Sequence, residues 1–237
     1  MTIGNLDFLS CKMKNQFLLF SLLTLLLISC KEIRSLREMQ RSAPEVYNID
    51  YNDKELLFIP MHHLGKPEFY DSVKKLVIDK KNNGYTVFYE LVKTDFEADS
   101  LKRIEIRMKA RKLKGFSGTY RDNSDSFEGY IQQPDYSELG IDSSDVWSDV
   151  NYLELINKWE ELNGEIKLDS IDLNTPFNKP FDKGVDYSNK DYNKVFIRYR
   201  NEHLLNKINE SNSNKIVILY GFGHLKDFQK LLKENKE

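Results

Sequence analysis

The sequence predicts an α/β fold with a central mixed or mostly parallel sheet, flanked by helices and carrying a helical insertion or cap. Residues 55–92 and 215–235 support this prediction, because each contains a short apolar run with the composition of a buried strand, followed by apolar residues at helical spacing. The sequence between them has no visible repeat and reads mainly as helices and connectors. We therefore predict one domain over residues 51–237.

Residues 56–61 are predicted to form the first buried strand, and Pro67 suits the first turn of the helix that follows. Residues 85–91 are rich in β-forming residues and predict a second strand. A strand, a helix and a strand of this length make a right-handed crossover between parallel neighbours. His63 follows the first strand and Glu90 ends the second. Both side chains are therefore expected at the same edge of the sheet.

Residues 215–220 predict another buried strand, which a Gly221-Phe222-Gly223 turn joins to an amphipathic helix. The turn presents His224 at the N-terminus of that helix. The positive end of a helix lowers the pKa of an imidazole and favours the neutral form that binds a metal or accepts a proton. Ligands of open α/β sheets bind outside the carboxyl ends of the strands, which is where this histidine is expected.

Residues 191–209 predict the helix before that strand. Arg200 and Asn201 lie on or beside its apolar stripe, and His203 points away from it. Arginine is rarely buried without a partner. Arg200 is therefore a candidate for orienting Glu90 or for binding a substrate carboxylate, with an exposed ion pair as the alternative.

The middle of the chain carries less information. Residues 101–114 predict one exposed basic helix, either a solvated face or a surface for anionic lipid. Residues 115–140 suit a loop or a cap over the crevice. Residues 152–162 predict a helix with Trp159 on its apolar side. Three aspartates are possible additional metal ligands, and the sequence ranks none above the others: Asp145, Asp149 and Asp172.

The N-terminus predicts a secretory signal peptide over residues 1–29. A short basic start at residues 13–16 precedes an almost wholly apolar run, residues 17–28. The alternative is a transmembrane anchor, but this run is shorter than the roughly 20 residues that span a bilayer. It ends in Leu27-Ile28-Ser29-Cys30, which resembles a bacterial lipobox. We therefore predict that Cys30 is acylated, palmitate included, and that residues 30–50 form a lipidated tether to a bacterial membrane in the cell envelope, on its periplasmic or surface face.

Composition excludes several classes of partner and site. The formal net charge of −2 argues against nucleic acid as a partner. The two cysteines are Cys11, inside the predicted signal peptide, and Cys30. The mature domain is therefore predicted to have neither a disulfide framework nor a cysteine metal ligand.

The two ends of the domain resemble the TraB/GumN/TIKI superfamily, whose fold is EreA/ChaN-like. The matching positions are His63, Glu90, Arg200 with Asn201, and Gly221 and Gly223 with His224. Two positions depart from the family pattern. Pro60-Met61 stands where the family has Gly-Thr, which leaves His62 and His63 both eligible, and His63 is favoured because Leu64-Gly65 follows it. Tyr199 stands where the family often has an acidic residue.

The resemblance implies metal-dependent hydrolysis, with a peptide or a small molecule as substrate. His63 and His224 would bind a divalent ion, with Glu90 as third ligand or as general base. Arg200 would orient Glu90 or neutralise a developing oxyanion. The remaining site residues would contact substrate: His62, Asn201, Gly221 and Gly223. Two imidazoles and a carboxylate suit zinc, manganese, iron or cobalt, and the resemblance favours manganese or cobalt. The alternative is a non-catalytic lipoprotein of the same fold that binds haem or another ligand.

Overall fold

The computed structural model describes residues 37–94, 100–115, 128–179, 181, 183–186 and 188–236. The predicted signal peptide and Cys30 lie outside these residues. The chain divides into two units, Met1–Arg41 and Ser42–Glu237. Of the first unit, residues 37–41 are described, and they include one helical turn. The second unit contains the sheet and the candidate site.

The described part of the chain contains seven strands: β1 (Tyr47–Tyr51), β2 (Lys54–Met61), β3 (Leu64–Gly65), β4 (Thr86–Tyr89), β5 (Ile131–Gln132), β6 (Val146–Trp147) and β7 (Lys215–Gly221). Its α-helices are α1 (Pro67–Asn82), α2 (Ser100–Lys114), α3 (Tyr152–Asn163), α4 (Ser170–Asn174), α5 (Asn189–Tyr192), α6 (Arg200–Glu210) and α7 (Leu225–Glu234). A π-helical segment, Asn193–Tyr199, joins α5 to α6, and a 3₁₀ turn, Phe222–His224, joins β7 to α7.

Five strands form the central sheet, in the order β1-β2-β7-β4-β6. Strand β1 is antiparallel to β2, and the other pairs are parallel, so the predicted mixed sheet flanked by helices is confirmed. The expectation that the first two predicted strands are neighbours is wrong, because β7 lies between β2 and β4. Residues 216–220 of β7 are all fully buried. Their central position in the sheet is consistent with this burial, because a central strand has a neighbouring strand on each side.

Residues 47–50, assigned to the tether from the sequence, belong to β1. Their burial alternates along Tyr47–Tyr51, as expected of a strand with one face against the core. Tyr47 pairs with Phe58, and Tyr51 pairs with Lys54. Residues 47–50 of the predicted tether are therefore part of the sheet.

Helices cover both faces of the sheet. On one face, Phe58 and Ile218 pack with side chains of α6 and α7 such as Leu204 and Phe228. On the other face, Leu219 packs with residues of α1 and with Leu139 and Ile141. Because both faces are buried, β2 and β7 read as continuous apolar runs rather than as alternating sequences.

The middle of the chain forms a third apolar cluster, in which α2 packs against α3 and the π-helical segment. Ile106, Ala110 and Leu113 are buried there, so α2 is not the fully exposed helix that its basic residues predicted. The α3 helix begins with a capping box at Asn151, and Trp159 is buried as expected. Residues 116–127 of the predicted loop or cap lie outside the described residues.

None of the helices in the described ranges combines the length and the apolar character that crossing a bilayer requires.

Candidate functional site

The carboxyl ends of β2, β7 and β4 meet at one edge of the sheet, and the candidate site lies there. Met61 pairs with Gly221, and Tyr89 pairs with Leu219. The backbone N–H of Glu90 continues this ladder by donating to the carbonyl oxygen of Leu219 at 3.0 Å. Glu90 therefore lies beside Gly221.

Protein donors hold both carboxylate oxygens of Glu90. Nη2 of Arg200 donates to Oε1 at 2.5 Å, and the backbone N–H of Gly221 donates to Oε2. Burial alone would raise the pKa of Glu90, but the charge of Arg200 and the hydrogen bonds from Gly221 and Arg200 hold this pKa well below its ordinary value. Glu90 is therefore ionised at neutral pH.

Arg200 also binds a second carboxylate, that of Asp149. Its Nε donates to Oδ1 at 2.9 Å, and its Nη2 donates to Oδ2 at 2.6 Å. Asp149 is fully buried, and Arg200 is 8% exposed. This bidentate ion pair fixes the plane of the guanidinium. The arginine is thereby held where it orients Glu90.

His224 is buried and presents Nε2 to Glu90. The side-chain NH₂ of Asn201 donates to the carbonyl oxygen of His224 at 3.2 Å and to Asp227 at 3.0 Å. Its oxygen therefore accepts, and the ring Nδ1–H of His224 donates to it across 2.8 Å. The lone pair of the neutral ring is consequently on Nε2, which lies 3.6 Å from Oε1 of Glu90.

The neutral imidazole expected from the sequence agrees with the structure, but the main cause differs. Burial lowers the pKa of His224 to about 4, against the opposing effect of the negative charge of Glu90. The 3₁₀ turn precedes α7, and His224 stands at the helix start. Ionised Glu90 and neutral His224 are thus both hydrogen-bond acceptors at physiological pH.

The two glycines of the turn have different surroundings. A Cβ added to Gly221 would lie 3.1 Å from Oε2 of Glu90, so glycine allows the close approach of backbone and carboxylate. Gly223 is exposed, and an added Cβ would meet Ile197 at 3.8 Å. Gly221 therefore contacts the Glu90–His224 pair directly, whereas no such contact is found for Gly223.

The two adjacent histidines after β2 lie at the same edge, and His62 is half-buried. His63 is exposed, and its carbonyl oxygen accepts from the backbone N–H of Gln133 at 3.0 Å. The ring of His62 lies 5.4 Å from that of Phe69 and 5.9 Å from that of Phe222. Within the described ranges, no group of three His, Cys, Asp or Glu side chains is arranged to hold a metal ion.

Asp149 is a site residue that the sequence left unranked. It follows β6, and β6 pairs with β4 through Trp147 and Tyr89, so it leaves the sheet at the same edge as Glu90. Strand β6 has two residues, too few for a periodic pattern. The other two aspartates lie elsewhere. Asp145 binds Lys81 and the N–H of Val87. Asp172 binds Lys112 and accepts the backbone N–H of Asp169, the N-cap residue of α4.

Comparisons of the chain with protein-family models, with curated proteins and with solved structures give no match, so the family resemblance rests on the motifs quoted above.

Proposed function

We propose that this chain is a hydrolase whose reactive centre is the Glu90–His224 pair, with a peptide or a small molecule as substrate. The observation that supports this proposal is the approach of two proton acceptors, Nε2 of His224 and Oε1 of Glu90, across 3.6 Å. One water molecule can donate a hydrogen bond to each of them at that separation. Such a water would be polarised by both groups at once.

In the proposed reaction, water adds to a carbonyl carbon and passes a proton to Nε2 of His224. The π pair of the carbonyl moves onto its oxygen, and the resulting oxyanion collapses as the leaving nitrogen or oxygen departs with the proton from His224. The Glu90 carboxylate stabilises the imidazolium that forms between these steps. Asn201 keeps Nδ1 protonated, so the proton-accepting nitrogen is always Nε2.

Arg200 is assigned the role of positioning Glu90 in this proposal. Its Nε and Nη2 are directed to Asp149 and Glu90, and Nη1 faces the carbonyl oxygen of Phe196 at 3.4 Å. A guanidinium engaged in this way has little left with which to bind a substrate carboxylate. Of the two roles considered from the sequence, orientation of Glu90 is the better supported.

A divalent ion fits part of the site. Ionised Glu90 and neutral His224 are already in the protonation states that manganese, cobalt or zinc require of their ligands. The third predicted ligand, His63, is exposed and forms no three-residue metal group with them in the structure. A bound metal would supply a water of lowered pKa. Glu90 and His224 are the two residues that would hold it.

Ligand binding without catalysis is the second candidate function. Both carboxylate oxygens of Glu90 accept hydrogen bonds, from Arg200 and from Gly221. A buried carboxylate that is fully paired in this way can be purely structural, which favours a site without catalysis. The site at the carboxyl edge of the sheet would then hold haem or another small molecule. Under either function, we propose that Cys30 anchors the protein to a bacterial envelope membrane.

The deciding experiment screens purified protein against peptides and esters, with and without EDTA and added manganese, cobalt or zinc. His224→Gln should abolish turnover in a folded protein. His203→Gln is the matched control, because His203 is a half-buried histidine of α6 whose ring faces Trp147, with centroids 6.5 Å apart. Loss of metal in His63→Ala would establish a third ligand. Wild-type turnover that survives in His224→Gln would place the reaction elsewhere, and a Soret band on haem titration without turnover would favour the binding protein.

A further inference from the structure

The carboxylate of Asp227 contacts the Asn201 amide that binds the ring of His224. Asp227 lies in the first turn of α7 and is half-buried. Its Oδ2 accepts a hydrogen bond from the side-chain NH₂ of Asn201 at 3.0 Å, and its Oδ1 accepts one from Nη1 of Arg198 at 3.3 Å. Both contacts come from donors, so Asp227 acts on the amide of Asn201 as an acceptor.

The Asn201 amide can take two orientations, which a half-turn of its terminal bond interconverts. In the observed one, the NH₂ group faces two acceptors, Oδ2 of Asp227 and the carbonyl oxygen of His224, and the amide oxygen faces Nδ1 of His224 at 2.8 Å. In the reversed orientation, the amide oxygen would face those two acceptors instead. A buried acceptor that faces other acceptors loses its hydrogen bonds. The charged carboxylate of Asp227 therefore opposes the reversal.

Glu90 favours the opposite position of the ring proton. Its Oε1 lies 3.6 Å from Nε2 of His224, so its negative charge attracts a proton on that nitrogen. The ring itself is held in place, because it is 3% exposed and meets the ring of Tyr220 edge-on, with centroids 5.4 Å apart. The choice between the two neutral tautomers is therefore a competition between Glu90 at Nε2 and the amide of Asn201 at Nδ1.

We propose that Asp227 is a positioning residue. It holds the Asn201 amide in the orientation that keeps the ring proton of His224 on Nδ1, against the attraction of Glu90, and so leaves Nε2 able to accept a proton. The part that Nε2 plays in hydrolysis rests on the proposed function. A metal ion would require the same tautomer, since a metal binds the ring nitrogen that carries no proton.

Asp227→Asn tests the inference, because it preserves the size of the side chain, removes its charge and offers an NH₂ group to a reversed Asn201 amide. In protein with isotopically labelled histidine, nitrogen NMR spectra at neutral pH identify the ring nitrogen that carries the proton, and comparison with His224→Gln assigns the signals of His224. We expect the proton on Nδ1 in the wild type. In Asp227→Asn, the ratio of the Nε2–H to the Nδ1–H tautomer should rise about tenfold or more, the effect of losing one charge-assisted hydrogen bond.

Glu234→Gln is the matched control. Glu234 is the last residue of α7 and binds the same arginine, Arg198. This variant loses the same charge and an ion pair with the same partner as Asp227→Asn does, so its tautomer ratio and its kcat should equal those of the wild type. Asp227→Ala removes the charge without supplying a new donor. It should shift the ratio in the same direction, and it provides the measurement if Asp227→Asn does not fold.

The NMR and kinetic results test different proposals. A tautomer ratio in the Asp227 variants equal to that of the wild type refutes the positioning role, and so does a wild-type ring with its proton on Nε2. Where the ratio shifts as expected, kcat should fall in proportion to the remaining fraction of the Nδ1–H tautomer, because the other tautomer cannot accept a proton at Nε2. A shifted ratio with an unchanged kcat, or with no turnover in the wild type, refutes the proposed hydrolase and leaves the positioning role of Asp227 standing.

Discussion

Asp149→Asn and Glu90→Gln are expected to separate the stability of the buried cluster from its chemistry. Asp149 is fully buried and accepts two hydrogen bonds from Arg200. Glu90 accepts one from Arg200, and its side chain is 15% exposed. Loss of the Asp149 charge therefore leaves Arg200 more poorly compensated than loss of the Glu90 charge. Both substitutions preserve the size of the side chain.

The expected magnitudes follow from this difference. Breaking a buried ion pair by removing one partner costs about 3–5 kcal/mol of unfolding free energy, and we expect Asp149→Asn to fall in this range. Glu90→Gln keeps one acceptor oxygen and leaves Arg200 paired with Asp149, but its NH₂ faces one of the two donors, Arg200 or the N–H of Gly221. About 1–2 kcal/mol is therefore expected, the cost of one donor left without its acceptor. For a domain of this size, roughly 2–4 °C of Tm accompanies each kcal/mol. The expected losses are about 6–20 °C for Asp149→Asn and about 2–8 °C for Glu90→Gln.

Activity should follow the opposite order. In the proposed reaction Glu90 lies beside the nitrogen that takes the proton, so Glu90→Gln should lower kcat by about 100-fold or more. Asp149 acts through Arg200 and should retain more of the activity in the fraction of protein that is folded. Urea unfolding and steady-state kinetics on the same samples measure both quantities. If Glu90→Gln lowers stability more than Asp149→Asn and both keep similar activity, the assignment of Glu90 to chemistry and Asp149 to support is wrong.

Three further predictions concern other parts of the molecule. The pKa of His224 is lowered in the folded state to about 4. The free energy of unfolding should therefore decline by on the order of 3 kcal/mol as pH falls from 6.5 to 4. Urea titrations should show that His224→Gln lacks this pH dependence, and an identical pH dependence would contradict the buried neutral ring. Gly221→Ala, at a φ of −52° that alanine tolerates, should displace Glu90 and lower kcat by about tenfold with a Tm change of a few degrees; a wild-type kcat would show that the close approach is unimportant. Cys30→Ser should move the protein from the membrane fraction to the soluble fraction in cell fractionation, and continued tight membrane association would refute the lipid anchor.

Local patterns predicted the parts of the fold that depend on local sequence. The apolar run of β2, the proline at the start of α1 and the Gly221-Phe222-Gly223 turn each mark an element where it was expected. The burial of Arg200 and Asn201 also followed from helical periodicity. These signals act within a few residues, so one sequence was sufficient to detect them.

Features that depend on distant pairing or on irregular backbone were not predictable in this way. The place of β7 between β2 and β4 is decided by contacts between segments far apart in the chain. The π-helical segment Asn193–Tyr199 shifts the helical phase before Arg200, which a regular helical wheel does not represent. His203, which was expected to point away, is half-buried, and its ring lies beside that of Trp147, a residue of β6. The exposure of His63 also depends on distant residues. The hydroxyl of Tyr70 donates to the carbonyl oxygen of His62, and the backbone N–H of Gln133 donates to that of His63, so these contacts hold the backbone of the loop after β2.

The central place of β7 has a consequence for how the protein is made. Ribosomes complete β2 and β4 long before Lys215 is added, and until then each of these strands has an open edge where β7 will pair. Open, apolar strand edges are sites of aggregation, and pairing across a long sequence separation slows folding. The nascent chain is therefore prone to aggregate with other chains until β7 emerges from the ribosome. Under the export that we propose, this delay would be useful, because a chain that cannot close its sheet early can still pass unfolded through a translocation channel.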